Sequence, residues 1–98
     1  MNIIKKAEGS KLTLSIEGRL DTMTAPELEQ VVKAELGGVE TLVFDMKAME
    51  YIPSAGLRVL LTAQKTMNKQ GSMYLTGCGE DIMEIFEVTG FSDILQFK

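Results

Sequence analysis

Thr41-Leu42-Val43-Phe44-Asp45 is a short, continuous apolar run closed by an acid, and segments of helical period lie on either side of it. A run this short and without alternation reads as a central strand covered on both faces. Its flanks then constrain the topology. A strand preceded and followed by helices pairs in parallel with its neighbours, through crossover connections that are right-handed. This places the chain among α/β folds built on one sheet.

The rest of the chain supplies the partners. Lys11-Leu12-Thr13-Leu14-Ser15-Ile16-Glu17 alternates polar and apolar residues, as a half-buried strand does, and Ile3 to Ala7 offers a weaker strand before it. Glu8-Gly9-Ser10 between them provides a tight turn, so an antiparallel hairpin is expected. Thr24-Ala25-Pro26-Glu27 combines a hydroxyl residue, a proline in the first turn and a Glu three residues after the cap. This capping-box pattern predicts a helix from Ala25 to Leu36, ending at Gly37-Gly38, with Leu28, Val31 and Val32 toward the core. Pro53-Ser54 introduces a second helix, with Leu57, Leu60, Leu61, Gln64 and Met67 at helical spacing until Gly71. Ser72 to Thr76 reads as a strand, and Glu80 to Thr89 as a third helix capped by Gly90. In that helix Ile82, Ile85 and Phe86 face one way, Asp81 and Glu84 the other. Ile94 to Phe97 is expected to close the sheet. The order β-β-α-β-α-β-α-β over residues 1–98 predicts a single α/β domain: a mixed, mostly parallel sheet of four or five strands with helices packed against it.

Composition narrows the chemistry. Among 98 residues there is no histidine and one cysteine, Cys78. A His-based catalytic triad, a His-ligated zinc site, an internal disulfide and a CxxC motif are therefore excluded. No general acid–base constellation stands out, and an enzyme is not expected. Gly77-Cys78-Gly79 opens a helix without the further glycine of a dinucleotide fingerprint, and GxxxxGK[ST] is absent, so no cofactor is expected. Cys78 has no basic neighbour in sequence and reads as a buried or inert thiol. The net charge of −4 argues against a nucleic-acid partner. Met1 to Lys6 lacks the apolar region of a signal peptide, and no window approaches the roughly 18 apolar residues of a membrane span. A cytoplasmic protein is expected.

The most informative stretch runs from Met49 to Leu61. Pro53 disfavours helical geometry at Ile52, and Ser54 falls where an N-cap would stand. Two readings follow. In one, Ser54 is a structural cap. In the other, its hydroxyl accepts a phosphate, whose −1.5 to −2 charges would meet the positive end of the helix dipole and the N–H groups near Ala55, Gly56 and Leu57. Gly56 either lets an anion or a partner surface approach, or permits close helix packing. A cation in the first helical turn, as Arg58 is, is disfavoured by ~0.3–1 kcal/mol, which an acidic partner or a phosphate would offset. The plainer reading leaves Arg58 in solvent. Asp21 and Asp45 stand at strand ends where ligands and partners dock, or serve as turn residues. Met23, Met46 and Met49 are either adaptable contacts or core filling.

Gly18-Arg19-Leu20-Asp21, Thr24-Ala25-Pro26-Glu27-Leu28, Leu42-Val43-Phe44-Asp45, Ile52-Pro53-Ser54-Ala55-Gly56-Leu57-Arg58-Val59-Leu60 and Ile85-Phe86-Glu87-Val88-Thr89-Gly90-Phe91 occur in an order and spacing that resemble the STAS domain. Within it, the chain resembles the stand-alone anti-sigma factor antagonists of bacteria. The resemblance covers nearly the whole chain, and the Ser-Ala-Gly-Leu-Arg junction is its most specific element. It implies partner switching. The unmodified antagonist binds an anti-sigma factor of the GHKL serine-kinase type and frees a sigma factor; the kinase phosphorylates the family serine, here Ser54, and a PP2C-type phosphatase restores it. It further implies a partner surface that includes Asp21, Thr22, Pro53, Ser54, Ala55, Gly56 and Arg58. Many family members carry Asp or Ser where this chain has Pro53. A constitutive STAS subunit of a transporter or signalling assembly, never phosphorylated, is the alternative.

Overall fold

The computed structural model describes residues 2–18, 20–49 and 51–98. Met1 lies outside the described residues, as do Arg19 of the Gly18–Asp21 motif and Glu50 of the stretch leading to Ser54. Strands β1 (Asn2–Glu8) and β2 (Lys11–Glu17) form the expected hairpin, with Ile3 opposite Ile16 and Ala7 opposite Leu12. Helix α1 (Ala25–Glu35) leads to β3 (Thr41–Asp45), helix α2 (Ser54–Asn68) to β4 (Ser72–Thr76), and α3 (Glu80–Thr89) follows. The sheet order is β1-β2-β3-β4, antiparallel for the first pair and parallel for the other two. It is a four-stranded mixed sheet.

The buried strand residues are Leu12, Leu14, Ile16, Leu42, Phe44, Met73 and Leu75. In the observed register these share one face, which packs against Leu28 and Val32 of α1, Leu60, Ala63 and Met67 of α2, and Ile82 and Phe86 of α3. β3 is central, as its continuous apolar run predicts, but it is not covered on both faces. Thr41, Val43 and Asp45 alternate with the buried residues and are only half-buried. Val43 stands between Thr13 and Tyr74 on the opposite face, where cross-strand neighbours shield it in place of a helix.

Two further expectations are corrected at the termini of elements. The predicted fifth strand over Ile94–Phe97 is absent. After α3, Gly90 adopts the left-handed conformation (φ 82°) that an L side chain resists, and Phe91–Asp93 form a single 3-10 turn. Only Phe97 then bridges to Leu75, with its ring 5.5 Å from that of Phe86. One bridge, made by Leu75 N donating to the Gln96 carbonyl (2.9 Å) and Lys98 N donating to the Leu75 carbonyl (2.9 Å), stands where a ladder was expected. Nor does the capping box at Thr24 form. Thr24 has helical dihedrals (φ −98°, ψ −21°), so its hydroxyl does not reach the helix N–H groups. The hydroxyl turns back to Asp21.

At the far end of α1 and α2, Gln70 ties the two helices together. Its Nε2 donates to the carbonyl oxygens of Leu36 (2.6 Å), the C-cap of α1, and Val39 (2.7 Å), in the loop that follows.

Candidate partner-binding site

The carboxyl ends of the three parallel strands present their following loops at one edge of the sheet, where α/β folds place their sites. Two of these loops meet at the first turn of α2, one through Leu20 and the other through Ile52. Gly56 is the point of contact. It is buried, and a Cβ built on it would stand 2.5 Å from Leu20 Cδ2 and 2.9 Å from Ile52 Cγ1. Only a residue without a side chain lets the loop before α1 lie this close to α2. Gly56 therefore serves packing, and it is not a surface opening for an anion.

Ser54 is the first residue of α2, not its cap. Pro53 occupies the cap position in extended geometry (φ −81°, ψ 172°), and its carbonyl accepts the first bond of the helix, from Leu57 N (3.0 Å). The N–H groups that precede the first intrahelical bond are thus those of Ser54, Ala55 and Gly56, while that of Leu57 is already paired. The Ser54 side chain is exposed and makes no hydrogen bond among the described residues. Its hydroxyl is accessible and carries no structural duty.

Arg58, one turn along, is also exposed and has no acidic partner among the described residues. Together with Thr22, Ala55 and Val59 it lines a shallow groove of about 140 Å³ between α1 and α2, whose other wall includes Pro26 and Glu29. Thr22 and Arg58, far apart in sequence, are thus walls of one depression.

The Asp21 loop is rigidly built. Asp21 Oδ1 accepts from Met23 N (2.9 Å), Thr24 N (3.0 Å) and the Thr24 hydroxyl (3.2 Å), and Thr24 Oγ1 in turn accepts from Asp21 N (2.8 Å). The Asp21 carbonyl receives Ala25 N at 2.8 Å. Asp21 shapes the loop, and it leaves Thr22 and Met23 on the outside. Asp45 is a turn residue: it accepts from Lys47 N (3.0 Å) and from the Ser15 hydroxyl (3.4 Å).

The methionines divide. Met46 and Met49 are buried core residues, whereas Met23 is 85% exposed. Tyr51, which sequence reasoning passed over, is 60% exposed three residues before Ser54. The available signal was its place in a loop bounded by buried Met49 and Ile52. Exposed Met23 and Tyr51 give the Ser54 edge an apolar character that suits a protein partner. Cys78 is half-buried, and desolvation pushes its thiol up to about 11, far from a nucleophile's range. Among the described residues no group of acids and cysteine could hold a metal ion, and no helix is long and apolar enough to cross a membrane.

Comparison with known proteins places the chain in a family. A Listeria monocytogenes protein named anti-sigma-B factor antagonist is 29% identical over 103 residues, which cover all of this chain and 90% of that protein. An anti-sigma factor antagonist from Mycobacterium paratuberculosis superposes with a TM-score of 0.88 at 24% identity, over 98% of this chain and 83% of its own. The Bacillus cell fate determinant SpoIIAA in its phosphorylated form superposes with a TM-score of 0.78 at 13% identity, over 99% and 91%. The STAS domain profile matches residues 2–98, and the chain belongs to the STAS domain family.

Proposed function

We propose that this protein is an anti-sigma factor antagonist that acts by binding and has no catalysis of its own. The edge formed by Thr22, Pro53, Ser54, Ala55 and Arg58 would bind an anti-sigma factor of the GHKL serine-kinase type and so free a sigma factor. Asp21 and Gly56 would hold that edge in shape. Phosphorylation of Ser54 by the kinase would end the interaction, and a PP2C-type phosphatase would restore it, all in the cytoplasm. The antagonist reading is supported by the names of similar proteins, among them the Listeria antagonist.

The observation that carries the switch is the exposed Ser54 hydroxyl, which is not engaged as a cap, at the first residue of α2. A phosphate there would meet the free N–H groups of the first turn and lie within a helical turn of Arg58, contacts that favour the charge by ~0.3–1 kcal/mol. The fold would tolerate it. Buried under a partner, however, the same dianion would cost several kcal/mol unless cations matched it. Modification would thus change binding without changing structure. Incubation with the cognate kinase and ATP, followed by mass-spectrometric mapping, should place one phosphate on Ser54. Undiminished incorporation in Ser54→Ala would contradict the assignment.

A further inference from the structure

The net charge of −4 is not spread over the molecule. From Gln70 to Phe97 there are five acids (Glu80, Asp81, Glu84, Glu87 and Asp93) and no lysine or arginine, while the remaining residues carry nine acids and ten bases. The excess of negative charge therefore resides on α3 and the turn that follows it. None of these five acids has an ion-pair partner among the described residues, although lysines elsewhere pair with Glu35, Glu8 and Glu29.

Helix α3 bears this charge around an unpartnered apolar face. Ile82 and Phe86 are buried in the core. On another side, Asp81, Glu84, Ile85, Val88 and Thr89 recur at the spacing of a single helical face and line a shallow depression of about 250 Å³, so Ile85, expected opposite Asp81 and Glu84, borders their face instead. Val88 is 80% exposed, and Ile85 is half-buried, packed against the core. The arrangement disfavours the isolated helix. Like charges at i, i+3 and i, i+4, as in Asp81–Glu84 and Glu80–Glu84, destabilise a helix. Glu87 stands in the last turn, with no base there, where the dipole favours a cation.

We propose that this face of α3 is a docking surface for a basic amphipathic helix of another protein. An apolar anchor would sit on Val88 and Ile85, and lysines or arginines beside it would meet Asp81 and Glu84. Charge selects this occupant. A second copy presenting the same helix, an anionic membrane or a nucleic acid would each bring negative charge to a negative face. The surface adjoins the Ser54 loop only at its Asp81 end. The start of α3 shares a depression with Met49, in the loop before Ser54, and Val88 lies about 10 Å farther along the axis from Asp81.

The test uses the full chain, labelled with 15N and titrated with a synthetic amphipathic helix of about 14 residues, Leu on one face and Lys on the other. A counterpart with Glu for Lys is the control. Amide shifts with the Lys peptide should cluster at Asp81, Glu84, Ile85, Val88 and Thr89, and the Glu peptide should cause none. Val88→Ser and Glu84→Lys, both at exposed positions, should keep the native spectrum and weaken binding at least about tenfold each. Shifts scattered over acids elsewhere, shifts centred on the α1–α2 groove, or affinities unchanged in both variants would overturn the proposal. So would a dimer in sedimentation that Val88→Ser abolishes, since the occupant would then be a second copy.

Discussion

Gly56 lies against Leu20 so closely that a methyl group on it would stand 2.5 Å from the leucine's Cδ2. Leu20 is 1% exposed and cannot swing into solvent, and Ile52 closes the other side. Gly56→Ala should therefore destabilise the protein. Overpacking costs ~1–3 kcal/mol, partly offset by the ~1 kcal/mol that alanine gains over glycine in a helix. Denaturant midpoints at constant m-value check the direction, and a more stable variant would show that Leu20 moves freely.

Because the Ser54 hydroxyl makes no capping bond, its removal should hardly affect folding. Ser54→Ala should leave stability within ~0.5 kcal/mol of the parent, whereas loss of a true N-cap costs ~1 kcal/mol. Urea denaturation distinguishes the two.

Asp21 should behave in the opposite way. Its Oδ1 accepts three hydrogen bonds within the loop. Asp21→Ala should cost about 1–2 kcal/mol, and Asp21→Asn, which keeps an acceptor oxygen, should lose less. Equal stability of all three proteins would show that the loop holds its shape without Asp21.

Cys78 supplies a pH dependence. Its thiol is raised in the folded state from 9.0 to about 11 by desolvation, so the folded protein keeps its proton where the unfolded chain has lost it. The stability from this residue is fully present below pH 9 and declines as pH rises from 9 toward 11. The thermal midpoint should fall across that interval, less steeply in Cys78→Ala. At pH 8, alkylation of the native thiol should be roughly a hundredfold slower than that of the unfolded chain, in proportion to its thiolate fraction.

Most of the fold was legible because the chain is punctuated where its elements change. Pro26, Pro53, Gly71 and Gly90 mark helix ends that the structure reproduces to within a residue or two. What sequence spacing could not resolve was dihedral geometry at those ends. A hydroxyl residue at a helix start can be a cap, as Thr24 and Ser54 were both read. The actual ψ of Thr24 and the extended Pro53 decide otherwise. Apolar content misled twice: Val43 extended a run without being covered by a helix, and Ile94–Phe97 resembled a strand but makes a single bridge to Leu75. At the candidate site, Ser54 and Arg58 were legible as a helix-start pattern. The Gly56–Leu20 contact and the exposure of Tyr51 depend on how distant segments pack, which local pattern does not encode.

The central claim is that one phosphate at position 54 abolishes partner binding while leaving the fold intact. Phosphoserine installed at position 54 during synthesis makes the test independent of any kinase. Calorimetric titration of the cognate anti-sigma factor with this protein and with the unmodified one should show at least about a hundredfold loss of affinity, or ~2.7 kcal/mol, with matching thermal midpoints. Equal affinities for the two forms would contradict the account.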